Sequence, residues 1–370
     1  MSGGPLAGRR IVEFAGIGPA PFCGMLLADL GADVVRIEAP APPRAARTVP
    51  ILDTRYDVAN RGKRAVRLDL KRDADRAMDL VAGADALIEG FRPGTMERLG
   101  FAPDLCRQRN PRLVYGRATG WGQTGPLAQT AGHDINYIAL CGALHSIGVD
   151  GGPPAIPLNL IGDYAGGGLM LAFGVVSAML EATRSGEGQV VDAAMAEGAA
   201  VLMAAVYGFR AAGLMPGARG RNILDGAAPF YGVYECADGQ WLAVGAVEPE
   251  FYAELLRRCG LEDPEFRRQL DPAMWPALKT RLADLFKTRA RGDWEALFAD
   301  SDACVAPVLS MEEAPDHPHN RDRGAFVSLD GVIQPAPAPR FERGAQSVRW
   351  AAPARVAEAA EVLSEWRAVA

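Results

Sequence analysis

Residues 10–37 hold a strand, a tight turn, an apolar helix and a second strand, and that order leaves few folds open. Arg10–Phe14 reads as a short buried strand and Gly16–Pro21 as a glycine- and proline-rich turn. Phe22–Leu30 reads as an apolar helix stopped by Gly31, and Asp33–Ile37 as a second strand closed by Glu38-Ala39-Pro40. Two strands joined through a helix lie parallel, with a right-handed crossover.

The pattern continues after a proline- and arginine-bearing loop over 40–60. Strands are expected at Ala65–Leu70, Ala86–Glu89 and Leu113–Arg117, with helices at Ala74–Ala82 and from Met96 to Leu99. Together these describe a doubly wound, Rossmann-like α/β domain with a parallel sheet. Beyond Asp163 the chain turns helical, through 165–182 and 193–213. Phe230–Cys236 and Gln240–Ala246 flank Asp238-Gly239, the strongest short hairpin signal present. Helices over 250–259 and 276–300 complete a smaller α+β unit, and a helical tail is expected over 353–368. The expected division is a large Rossmann-like domain over 1–185, a helical linker over 186–226 and a small α+β domain over 227–310. A second linker over 311–340 and a segment over 341–370 returning to the large domain follow.

Composition narrows the function classes. A net charge of -6 argues against a nucleic-acid partner. The six cysteines are scattered, with no CxxC pair and no histidine at ligand spacing, so they read as reduced thiols of a cytoplasmic protein without a metal site. Met1–Pro5 lacks a basic segment followed by an apolar run, so no secretory signal is expected. The apolar stretch Leu169–Leu180 reads as a buried helix too short for a bilayer, and no membrane partner is expected.

Gly16-Ile17-Gly18 after a strand, with Glu38 twenty residues on, invites a dinucleotide reading. Pro21 stands where the third glycine belongs, and Pro19 removes a main-chain donor, so a Rossmann-like fold without a nicotinamide cofactor is expected. From Arg44 to Arg72 there are nine Lys/Arg against three Asp/Glu. The densest part, Asn60-Arg61-Gly62-Lys63-Arg64, is either a solvated charged face or a site for phosphate groups such as those of coenzyme A.

Gly132-His133-Asp134-Ile135-Asn136-Tyr137 is the sharpest local motif. His133 follows a glycine-rich loop and has a carboxylate beside it, which suits a proton carrier near neutral pH and equally a histidine that holds a loop. Leu158–Gly168 places Asp163 near a helix start ahead of three glycines. That Asp is either a helix cap or a carboxylate facing a substrate, with free amides available for an oxyanion. Glu248, after a strand and before Pro249, attracts no notice alone.

Taken together, these segments resemble the family III coenzyme A-transferases, and within them the racemases of α-methylacyl-CoA. The resemblance runs in order through Gly8–Pro40, Asn60–Lys71, Glu89–Gly94, Gly120–Pro126, Gly132–Tyr137, Leu158–Gly168, Arg219–Gly226, Pro229–Glu248, Asp302–Val308 and Pro337–Phe341. In the transferase members an Asp at the position of Asp163 is the acyl-accepting nucleophile; Gly-His-Asp-Ile-Asn-Tyr marks the racemases. The resemblance implies His133 and Asp163 as the two bases, with Glu248 paired to His133 across a subunit interface. It implies coenzyme contacts at Leu68, Asp69, Leu70 and Lys71, at Gly90, Phe91 and Arg92, at Arg98, and at Gly132, Asp134, Ile135, Asn136 and Tyr137. It also implies an interlocked homodimer, an acyl-CoA substrate and no cofactor beyond the coenzyme A of that substrate. Where some members carry a basic residue for the adenine end, this chain has Ala39, with Arg44 and Arg47 nearby as substitutes. Coenzyme A transfer between carboxylic acids, with Asp163 as nucleophile, is the alternative activity.

Overall fold

The computed structural model describes residues 3–40, 49–344 and 346–368, so Arg44 and Arg47 lie outside the described residues. The chain divides into two units. One is drawn from Met1–Cys141, Leu158–Leu202 and Arg321–Ala370, the other from Gly142–Pro157 and Met203–Asn320.

In chain order the first unit supplies β1 (Arg10–Phe14), β2 (Asp33–Glu38), β3 (Arg64–Arg67), β4 (Ala86–Glu89), β5 (Val114–Thr119) and β6 (Val190–Ala194). The second unit supplies β7 (Tyr231–Glu235), β8 (Trp241–Gly245) and β9 (Val305–Val308), and the first is completed by β10 (Phe326–Leu329), β11 (Val332–Pro335) and β12 (Arg355–Val356). A seven-stranded sheet has the order β12-β3-β2-β1-β4-β5-β6, and every neighbouring pair in it is parallel. Successive residues of the central strands serve opposite faces. Val12, Val35 and Leu87 pack with Leu80 and Trp366 on one side. Ile11, Val34 and Ile88 pack with Leu27, Leu171 and Val175 on the other. With both faces covered, the strands read as continuous apolar runs. Because β1 pairs with β2 on one side and β4 on the other, the crevice beyond their carboxyl ends is a topological switch point, where open α/β sheets hold ligands.

The structure departs from the sequence expectations at informative places. The segment expected to be helical from 193 begins instead with β6, because Val190–Ala194 finds β5 as a partner; the helices Met195–Leu202 and Ala204–Ala211 follow. The helix expected over 276–300 is two, Trp275–Phe286 and Arg291–Phe298. The helix read as a short buried one extends from Leu160 to Ser185, 26 residues, the first ten in wide π-helical turns. By length and composition it is enough to cross a bilayer, but half of its most apolar window is buried within the fold.

In the densest part of the basic stretch Arg61 and Lys63 follow neither reading, whereas Arg67, Lys71 and Arg72 farther along are exposed. Arg61 and Lys63 are buried, not solvated, and are already neutralised. Lys63 Nζ donates to Glu13 Oε2 at 2.6 Å, to Asn60 Oδ1 at 3.1 Å and to the Pro21 carbonyl at 2.8 Å. Arg61 forks onto Asp29 at 3.1 and 2.6 Å. With their donors so engaged, neither side chain is offered to a phosphate.

The second unit folds around the β7–β8 hairpin, which turns at Asp238-Gly239 as expected, with Gly239 at φ 74°. Phe230, Tyr234, Trp275, Phe286, Trp294 and Phe298 form its core.

Candidate active site

The loops that leave β1, β4 and β5 at their carboxyl ends surround one cleft of about 510 Å³ in the first unit. After β1 come Gly16–Pro19, after β4 Gly90–Pro93, and after β5 Gly120-Trp121; the wall is completed by Gly132, His133, Tyr137, Asn159, Asp163 and Tyr164. His133 and Asp163, thirty positions apart in the chain, therefore line the same space.

Each is placed by its own element. His133 is the N-cap of the helix Asp134–Leu140, in extended conformation, and its side chain is exposed. Its amide donates to Asn136 Oδ1 at 3.0 Å, so Asn136 clamps the turn rather than reaching outward. Asp163 lies in the π-helical turns and is half-buried, with Asn159 Nδ2 donating to its Oδ2 at 3.1 Å. Burial holds the Asp163 carboxyl above the ordinary carboxylate range; the Asn159 hydrogen bond opposes this, the Asp134 charge adds to it and His133 opposes it. A carboxylate raised in this way is a stronger base.

Gly18, at φ 73°, brings main chain against that carboxylate: a Cβ there would stand 3.6 Å from Asp163 Oδ2. The three glycines after Asp163 have a different purpose from close approach to substrate. A Cβ on Gly166 would meet the Ala199 amide at 2.7 Å, on Gly167 Pro19 Cβ at 2.8 Å, and on Gly168 Phe22 at 2.7 Å. Their absence of side chains lets three helices cross tightly, a packing requirement. The amides of Gly162 and Asp163 are also not free for an oxyanion, since both donate to Asp134 Oδ2, at 2.6 and 2.7 Å.

Tyr137 is buried beside Trp121, ring centroids 4.8 Å apart, and its hydroxyl donates to the Gly132 carbonyl. Burial first, and then the Asp163 charge, push its hydroxyl up to about 12. Side chains at Gly120 or Gly132 would collide with its ring.

The other residues implied for the coenzyme are distributed unevenly. Gly90, Phe91 and Arg92 line the cleft with Gly132 and Tyr137. Asp134 is buried and faces Asp163, and Ile135 is exposed. Leu68 and Leu70 turn into the core beyond β3, whereas Asp69 closes a turn through Lys71 N–H and Arg72. Arg98 donates to Thr95 Oγ1 at 3.0 Å. Neither Leu68–Lys71 nor Arg98 is part of the cleft wall. Glu248 belongs to the second unit, exposed at the N-cap of the helix Pro249–Cys259, with its charge acting on the Cys304 thiol. Asn159 escaped sequence reasoning; its position one helical turn before Asp163 was the available signal. Among the described residues no group of three His, Cys, Asp or Glu side chains is arranged to hold a metal ion.

Residues 6–357 match the model of CoA-transferase family III. The chain belongs to that family. Two relatives are named alpha-methylacyl-CoA racemase. The mouse protein is 47% identical over 336 residues, covering 90% of this chain and 85% of the relative, and the human protein is 44% identical over 339 residues, covering 90% and 86%. Among solved structures, a CAIB/BAIF family protein from Brucella suis superposes with a TM-score of 0.83 at 26% identity, covering 98% of this chain and 100% of that one. For this family III chain the seven-stranded parallel sheet is thus the shared framework.

Proposed function

We propose that this protein is a racemase that interconverts (2R)- and (2S)-2-methylacyl-CoA thioesters. The observation that carries the reading is the meeting of His133 and Asp163 in one cleft. The hydrogen on the carbon beside a thioester is weakly acidic, because its electron pair can move onto the thioester oxygen as an enolate. One base takes that hydrogen as a proton from one face. The conjugate acid of the other returns a proton to the opposite face, and the enolate electrons re-form the carbon–hydrogen bond with the centre inverted. His133 serves one face and Asp163 the other. The reaction balances without redox change and needs no cofactor beyond the coenzyme A of the substrate.

The 44–47% identity to proteins named as racemases supports this reading over coenzyme A transfer. In the proposal Gly90–Arg92, Gly132, Ile135 and Tyr137 hold the coenzyme end, with Leu68–Lys71 and Arg98 reached farther along it. The working form is a homodimer in which Glu248 of a second copy pairs with His133. Exposed apolar side chains such as Leu158, Leu160, Leu169 and Phe173, each more than half exposed, suit such burial. The six free cysteines suit a reducing compartment, and the cytoplasm is the proposed location.

The test uses one enantiomer of a 2-methylacyl-CoA in deuterated water with no acceptor acid. The racemase is expected to incorporate one deuterium at C2 and drift to an equal mixture of enantiomers. A transferase would do neither and would form a hydroxylamine-sensitive adduct at Asp163, an outcome that defeats the proposal.

A pH profile follows from the raised Asp163 carboxyl. In the direction in which Asp163 accepts the proton it must be ionised, so kcat/KM falls as pH drops through its pKa. That acid limb is expected above the ~3.9 of an ordinary aspartate. A rate in that direction still flat at pH 4 would contradict the assignment.

A further inference from the structure

The two groups assigned to opposite faces come from separate segments, and one side chain joins them. Asp134 follows His133 directly and is the first residue of the helix that His133 caps. It is only 5% exposed. Its carboxylate crosses to the π-helical segment, where a single oxygen, Oδ2, accepts the amides of Gly162 and Asp163. The approach is close enough to dictate the neighbour: a Cβ at position 162 would stand 2.6 Å from that oxygen. Asp134 Oδ1 is buried with no hydrogen-bond partner. An acidic residue in a first helical turn ordinarily stays near its own helix end, where the dipole favours it. This one reaches out to another segment at the cost of leaving one oxygen unmatched.

We infer that Asp134 is a positioning residue that sets the separation between His133 and Asp163, by fixing the main chain at Asp163 to the residue next to His133. The inference rests on the two-base reading above. Two groups that must flank one carbon tolerate little displacement, and an error of about 1 Å can cost 10²-fold in rate. A carboxylate held by its main chain on one side and by Asn159 on the other has few ways to drift.

The groups acting on Asp163 are known from each element around it. Asp134 and His133 contribute from the helix Asp134–Leu140 and its cap, where the Tyr137 hydroxyl in turn feels the Asp163 charge. The helix Pro19–Asp29 brings Gly18 main chain, and Glu197 on the helix Met195–Leu202 is exposed. The Asp134 charge raises the Asp163 carboxyl. Removing that charge while keeping an oxygen acceptor therefore lowers it.

Asp134→Ala and Asp134→Asn separate position from charge. In the deuterium-exchange assay Asp134→Ala is expected to lose about 100-fold in kcat with KM changed less than about threefold. Asp134→Asn, whose amide oxygen can still accept both N–H groups, is expected to recover to within about tenfold of the wild type and to move the acid limb to lower pH. The Asn variant keeps the test decisive if the Ala variant fails to fold. A folded Ala variant within threefold of wild type, or an Asn variant with an unmoved acid limb, overturns the inference. Failure of the wild type itself to exchange would instead remove the two-base reading.

Discussion

Replacing His133 with alanine is expected to slow deuterium incorporation from one enantiomer by ~10²–10⁴-fold, the usual contribution of a positioned acid–base group. Incorporation from the other enantiomer should suffer much less. The asymmetry follows from the placement of the two groups. The Asp163 carboxylate is held by the main chain at 163 and by Asn159, neither of which needs the imidazole. Of the reciprocal cap at His133, alanine keeps the main-chain amide donating to Asn136 Oδ1 and loses, with the ring, only the bond from the Asn136 main chain. Each pure enantiomer is incubated in deuterated water and the label at C2 followed by mass spectrometry. Equal losses from both enantiomers would strip His133 of its separate face.

Replacing Lys63 with methionine is expected to lower the free energy of unfolding by ~3–5 kcal/mol, measured by urea titration. Lys63 and Glu13 are both fully buried, and their 2.6 Å contact sits where Gly24 leaves room: a Cβ on that glycine would stand 1.9 Å from Glu13 Oε2. Methionine preserves the length of the side chain and removes its charge, stranding a buried carboxylate. Arg36, 3.6 Å away, offsets part of this but is shared with Glu38 and Asp53. Burial pulls the Lys63 ammonium down and Glu13 opposes it, so Lys63 keeps its charge through its neighbour. Neutralising both at once, as Glu13→Gln with Lys63→Met, should restore most of the loss. A loss below about 1 kcal/mol in the single variant would show that the pair is not essential to the fold.

Much of the sheet could be read from the chain, because parallel strands covered on both faces show as short apolar runs between glycines and prolines. Arg10–Phe14, Ala74–Ala82 and Ala86–Glu89 have the bounds expected. β6 could not be read, since Val190–Ala194 suits a helix equally well and only its pairing with β5 decides. The residues of the cleft were legible as motifs: His133, Asp163, Gly90–Arg92 and Tyr137 all line it. What a linear reading could not supply was direction. It placed basic side chains at 61 and 63 without revealing the acids that enclose them. It set Asp134 beside His133 and missed that its carboxylate serves Asp163. It saw three glycines after Asp163 without the crossing helices that require them.

The last described helix closes the first unit from far along the chain. β12 extends the sheet beside β3, and Trp366 Nε1 donates to Asp33 Oδ2 across 333 positions. At a synthesis rate of about 5–20 residues per second, the early strands wait roughly 20–70 s for that tryptophan. Until the ribosome has released it, the nascent sheet carries an open margin, so the chain is most vulnerable to mispairing during its own manufacture.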